Sequence, residues 1–142
     1  MELSEQDRAF IDAHPATAMI TIGPDGRPKI ARVAVGILDG KLWSSATAER
    51  VRTARLRRDP RCTLYFAGDG PTWLTLETTV TILDGAEVPA QSLRFFRQLQ
   101  GALTGPLSWF GREVSDDEFE LVMAEEQRVL YEFSVDHAYG MR

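Results

Sequence analysis

"KLWSSATAERVRTARLRRDPRCTLYFA", Lys41–Ala67, decides how this chain is built. Its two ends, "KLWSSA" (Lys41–Ala46) and "RCTLYFA" (Arg61–Ala67), are short and β-rich in type, and each reads as a strand. The arginine-laden middle reads as a short helix stopped at Asp59-Pro60, because a residue before proline avoids the helical region. "RCTLYFA" is nearly all apolar, so it is expected to be covered on both faces.

Upstream, "TAMITIG" (Thr17–Gly23) and "PKIARVAVGIL" (Pro28–Leu38) flank a tight turn, "PDGR" (Pro24–Arg27). Asp39-Gly40 then turns into Lys41–Ala46, giving a three-stranded antiparallel meander. Before it, Ser4 with Asp7 resembles a capping box for a helix through about Ala13, ended by His14-Pro15. Downstream come a long strand, "TWLTLETTVTIL" (Thr72–Leu83), and a helix from Pro89 to about Gln100. An apolar, glycine-containing loop follows over Gly101–Val114. Ser115 and Glu118 box the start of a helix to about Glu126, and "RVLYEFSV" (Arg128–Val135) closes the chain. The expected fold is mainly β with short helices: six strands, mostly antiparallel, closing into a small barrel so that few edges are exposed. Residues 1–142 are expected to form one domain.

Composition sets the limits on function. With 44% hydrophobic and 26% charged residues the chain is of the soluble globular type. It holds 16 Lys+Arg against 21 Asp+Glu. Arg50–Arg61 takes six of the arginines with one aspartate, so the other 130 residues hold 10 basic and 20 acidic groups. A remainder that acidic argues against general nucleic-acid binding. No apolar run approaches the ~20 residues that span a bilayer. The acidic first ten residues do not read as a signal peptide, and the single cysteine, Cys62, fits a reducing cytoplasm. Two histidines and one cysteine give no metal-ligand spacing, and no nucleophile elbow, dinucleotide fingerprint or Walker sequence is present. Cys62, within an apolar strand, reads as an inert buried thiol. Chemistry on this chain would have to come from a bound cofactor.

A run of charge is most often a solvated helix face. Three details point elsewhere. Arginine is used throughout, and its planar fork suits phosphate and carboxylate groups. Arg52 lies one helical turn from Leu56, hence beside the buried stripe. The helix follows directly on "SSAT" (Ser44–Thr47), whose hydroxyls and free N–H groups can take an anion.

These residues also resemble a known family. G-x-P at Gly26–Pro28, L-W-x-S at Leu42–Ser45 and R-x-[KR]-x-x-x-L-x-R-D-P at Arg50–Pro60 are similar to the flavin and deazaflavin split-barrel proteins, relatives of pyridoxamine 5′-phosphate oxidase. "LRRDPR" (Leu56–Arg61) and "HAYG" (His137–Gly140) most resemble the actinobacterial branch that uses the deazaflavin coenzyme F420. The resemblance implies a six-stranded split β-barrel and a homodimer with cofactor sites between its subunits. Arg50 and Arg52 match positions that hold the cofactor phosphate, and Ser44, Ser45 and Thr47 match the hydroxyl and backbone part of that site. Arg32 matches a position facing the ring or tail, and Trp73 and Tyr139 fit dimer or core packing. Arg55 joins the binding set although it stands where asparagine is usual. Ala46 replaces a common threonine, and Thr78 a usual glycine. The implied activity is hydride transfer from reduced coenzyme F420 to a small conjugated acceptor. FMN in the same fold, or a cofactor carrier without turnover, are the alternatives. No catalytic side chain is singled out, and neither nucleic acid nor membrane is expected as a partner.

Overall fold

The strands and helices fall where turn and capping residues direct them. A computed structural model describes residues 1–142. Helix α1 (Glu5–Ala13) starts where the Ser4 hydroxyl accepts the Asp7 N–H, and it ends at His14 before Pro15. The Pro24–Arg27 turn joins β1 (Ala16–Ile22) to β2 (Pro28–Ala34), and β3 (Gly36–Leu38) turns into β4 (Lys41–Thr47). Helix α2 (Val51–Arg58) leads to β5 (Arg61–Ala67) and β6 (Trp73–Leu83). Then come α3 (Val88–Gln100), a hairpin of β7 (Leu107–Trp109) and β8 (Arg112–Val114), α4 (Asp116–Glu125) and β9 (Arg128–Met141). The capping box at α4 is complete, with Ser115 and Glu118 satisfying each other's backbone N–H groups.

One antiparallel sheet of seven strands runs in the order β2-β1-β5-β6-β9-β4-β3. Its two edge strands are consecutive along the chain. Pro28–Leu38, read from sequence as a single strand, breaks at Val35 into β2, paired with β1, and β3, paired with β4. This break raises the strand count from six to seven and curls the sheet into a split barrel. The corner is bonded on both sides: the Val35 N–H donates to the Pro15 carbonyl (2.9 Å) and the Ser44 hydroxyl to the Ala34 carbonyl (2.8 Å).

The interior is filled by residues alternating along the strands, among them Met19, Leu64, Phe66, Leu74, Leu76 and Tyr131. Leu56 of α2 and Ile11 of α1 plug into the same core. A second layer, α3, the hairpin and α4, carries its own small core around Trp109 and Phe119. Trp43 and Leu130, on the outside of the sheet, pack under α3 with Phe95.

Three expectations change. β5 is covered on one face only: Cys62, Leu64 and Phe66 are buried while Tyr65 is 39% exposed. Gly101–Val114 holds the β7–β8 hairpin, tightened at Phe110-Gly111 by two positive φ angles, 47° and 81°. β9 runs six residues past Val135, because its tail pairs along β6 beyond a bulge at Glu77/Thr78. At that bulge Thr78, in the place of a glycine, turns its hydroxyl inward to the Cys62 carbonyl at 2.7 Å.

Candidate functional site

The six arginines of α2 and its flanks divide into two sets of three. Arg61 makes a two-pronged bond to Asp59 (3.0 and 2.8 Å), which holds that carboxyl down at about 2. Arg57 pairs with Asp84 at 3.3 Å, and Arg58 donates to the Ile22 carbonyl, fastening α2 to β1. These three are spent on the fold. Arg50, Arg52 and Arg55 face no carboxylate within salt-bridge distance.

Arg52 and Arg55 flank the buried Thr53/Leu56 stripe of α2 and are half-buried. In both, Nε is shielded from water and has no hydrogen-bond partner. Leaving such a group unsatisfied is costly. Burial pushes the pKa of the Arg52 guanidinium below its ordinary value, the Tyr131 hydroxyl beside it favours the charged form, and Arg50 and Arg128 oppose it. Tyr131 is itself held in place. The Thr53 hydroxyl donates to the Thr47 carbonyl (2.9 Å), so Tyr131 is the donor in its own bond to Thr53, and its oxygen is turned toward Arg52 as an acceptor.

The end of β4 adds hydroxyls, but not all on one side. Side chains alternate along a strand, so Ser44 points into the barrel and Ser45 and Thr47 point out. The Ser44 hydroxyl already serves the Ala34 carbonyl. The Ser45 hydroxyl is buried with no partner. Arg50, at the N-cap of α2, gives no side-chain cap, and the first turn holds no acidic residue, so the helix start is positive and open. Three of the five buried side-chain atoms that lack partners in the whole chain therefore belong to Ser45, Arg52 and Arg55.

Arg55 also lines a groove of about 420 Å³ between α2 and the Pro24–Asp25 turn, where Lys29 is tied to Asp25. Arg32 stands apart from these groups. It is exposed on the outer face of β2, opposite Ala18, in an apolar groove of about 380 Å³ with Ile30, Tyr65 and Ala67. On the same sheet face Trp73 packs between Tyr65 and Tyr139, with ring centroids 6.0 and 5.9 Å away.

Two residues near the arginines went unread in the sequence. Tyr131 and Arg128 lie on a strand whose apolar pattern drew attention to packing alone. Arg128 pairs in register with Thr47 and leans on Trp109, 5.1 Å from the ring centre. Cys62 takes no part in the arginine site. It is 3% exposed, and burial pushes its thiol up to about 12. Native protein at pH 8 is accordingly expected to resist iodoacetamide and to be labelled only after unfolding; labelling of the native chain within minutes would contradict this.

The sequence matches the family described as pyridoxamine 5′-phosphate oxidase over residues 3–139. Solved structures share the fold. A conserved hypothetical protein of Mycobacterium tuberculosis is 20% identical, covering 98% of this chain and 84% of that one, with a TM-score of 0.74. An F420 reductase is 17% identical, covering 96% and 98%, with a TM-score of 0.68. A heme binding protein from Mycobacterium smegmatis is 15% identical, covering 99% of this chain and 55% of that one, with a TM-score of 0.69. At such identities the structural likeness concerns the fold. The family match spans nearly the whole chain, and with the split barrel beneath it this protein belongs to the pyridoxamine 5′-phosphate oxidase family.

Proposed function

We propose that this protein is an oxidoreductase that holds the phosphate of a flavin-type cofactor at the start of α2, with coenzyme F420 as that cofactor. One observation carries the reading: the buried nitrogens of Arg52 and Arg55 and the buried Ser45 hydroxyl lack partners, and they belong to β4 and α2, the two elements that meet at Arg50. Phosphate oxygens would pair with the outer guanidinium nitrogens of these arginines, and the open helix start adds a favourable field. Arg50, Arg52, Ser45 and Thr47 would hold the phosphate, and Arg55 would extend the cationic surface into the groove beside Lys29. Ser44 would contribute through β4 geometry, its hydroxyl being engaged. When bound, the deazaflavin would supply hydride, and the chain's task is to fix the ring, exclude water and orient the acceptor.

The F420 reductase among the structural neighbours supports the deazaflavin, as does a count of cations. A single phosphate is served by about two charged donors. Arg50, Arg52 and Arg55 exceed that, and the surplus suits a longer anionic tail. The excess is smaller than six arginines suggest, since Arg57, Arg58 and Arg61 are engaged by the chain itself, and this keeps FMN as the second reading. Arg57→Ala is thus expected to leave cofactor affinity within about twofold of wild type in a calorimetric titration, as for an exposed pair remote from the ligand. A larger loss would contradict the division of the arginines.

The functional unit we propose is a homodimer formed through the outer face that carries Arg32. Small residues there (Ala16, Ala18, Ala67) surround Tyr65 and an Ile30 that is 72% exposed. A second copy would cover this surface and bring Arg32 to the partner's site. Light scattering should give twice the chain mass, and Ala18→Glu should give the monomer mass; a wild-type monomer at micromolar concentration would contradict the proposal.

Turnover is the test of function. Reduced coenzyme F420 should be oxidised by the protein in the presence of conjugated acceptors, followed by the return of deazaflavin absorbance. Tight binding without oxidation across a broad acceptor panel would identify a carrier instead.

A further inference from the structure

Arg128 sits at the first position of β9, directly opposite Thr47. The two-residue period places its side chain on the outer face of the sheet, the face shared by Thr47 and the unpartnered Ser45 hydroxyl. The side chain is only 12% exposed. Its Nε and Nη2 both reach one carboxylate oxygen of Glu126, at 2.9 and 2.8 Å, and its Nη1 has no bond within the chain. Glu126 also accepts the Trp109 indole N–H at 3.3 Å, while the Trp109 ring lies against the guanidinium. Glu126, Arg128 and Trp109 thus brace one another, and the charge of Arg128 bears on Arg52.

Trp109 comes from the hairpin between α3 and α4. Arg50 and Arg128 both bear on the charge of Arg52, and Glu126 is the one carboxylate paired with any of the three. Like charges gathered in this way cost the free protein and favour an anion that joins them.

We infer that Arg128 is a further anion-binding residue of this site, aimed at the ligand's phosphate beside Thr47, and that the β7–β8 hairpin positions it through Trp109. The inference rests on the phosphate-site reading above. A strut that merely holds the hairpin would have no effect on the charge dependence of binding, whereas a ligand contact would.

The test is calorimetric titration of the full chain with coenzyme F420 and with FMN, at low and moderate salt. Arg128→Gln should weaken the bound cofactor about tenfold, the loss of one charge-assisted hydrogen bond, and flatten the salt dependence. Arg128→Lys should recover part of both. Glu126→Gln keeps one acceptor oxygen for Arg128, gives up the longer bond from Trp109 to the other oxygen and removes the competing charge, so it should tighten binding severalfold. An Arg128→Gln affinity within twofold of wild type, with Arg52→Ala impaired, would make Arg128 a strut and leave the phosphate site standing. Unchanged or weaker binding by a folded Glu126→Gln protein would also overturn the inference. Wild-type protein that binds neither cofactor would overturn this inference and the phosphate site together.

Discussion

Arg52→Ala is expected to weaken cofactor binding by about 1–3 kcal/mol, roughly 5- to 150-fold, without lowering the stability of the cofactor-free protein. The two halves have one cause. Arg52 is a half-buried cation with no carboxylate partner and a shielded Nε that bonds to nothing. In the free protein it is a cost, partly offset by the Tyr131 hydroxyl and raised by Arg50 and Arg128. Removing it leaves Thr53 and Tyr131 bonded to each other and Leu56 in the core, so the fold loses little. A function-bearing residue kept at the expense of stability is expected to behave this way. Calorimetry and thermal unfolding of the same preparation check both halves. Intact affinity would remove Arg52 from the site. A stability loss of more than about 1 kcal/mol would show that Arg52 serves the fold, as ordinary structural substitutions do.

Gly140→Ala should destabilise the protein by about 3 kcal/mol, at the upper end of ordinary overpacking, which lowers the melting temperature by about 10 °C for a chain of this size. Gly140 lies opposite Leu74 in the β6–β9 ladder. A Cβ there would stand 2.2 Å from the Trp73 carbonyl oxygen and 2.9 Å from the Leu74 Cα. Both are backbone atoms in a paired strand, so neither can swing aside, and the two strands would have to part. The damage extends beyond one pair. Arg142, two residues on, meets Asp7 of α1, a carboxylate only 2% exposed. If the tail of β9 lifts, Asp7 loses its cation, and a buried carboxylate left unpaired is strongly destabilising. Hydrogen exchange should show lost protection first in residues 137–142 and in α1. A melting temperature within about 2 °C of wild type would contradict this account of the tail.

The fold was legible in the sequence wherever a local signal and the tertiary packing agreed. Asp39-Gly40, Asp59-Pro60 and the Ser115/Glu118 box each end or start an element in the structure as well. The interruption at Val35 was not legible. Pro28–Leu38 is mostly apolar and β-rich, and the break arises because the strand must serve two edges of a curled sheet at once; its one local mark is Gly36, a glycine inside a strand pattern. β5 misled in another way: Tyr65 is apolar enough to suggest burial, yet it belongs to an aromatic face open on this chain. β9 outran its apolar pattern because its tail is held by backbone pairing, for which His137 and Gly140 give no hydrophobic signal.

At the arginines, composition showed the concentration of charge but not its use. Whether an arginine is free depends on carboxylates and carbonyls distant in sequence, Asp84 for Arg57 and Ile22 for Arg58. The two serines were likewise equal on paper. Strand alternation separates them, sending Ser44 to the Ala34 carbonyl and leaving Ser45 unpartnered. Arg128 and Tyr131 reach the arginines only because β9 pairs with β4 across more than eighty residues of chain.

The most direct test of the phosphate site is a paired titration of purified, cofactor-free protein with coenzyme F420 and with FMN, followed by fluorescence and repeated on Arg50→Ala and Arg52→Ala. Tight binding of coenzyme F420, ahead of FMN and weakened in both variants, is the expected result. Binding of neither cofactor, or binding that both substitutions leave untouched, would contradict the assignment and return these arginines to an ordinary solvated face.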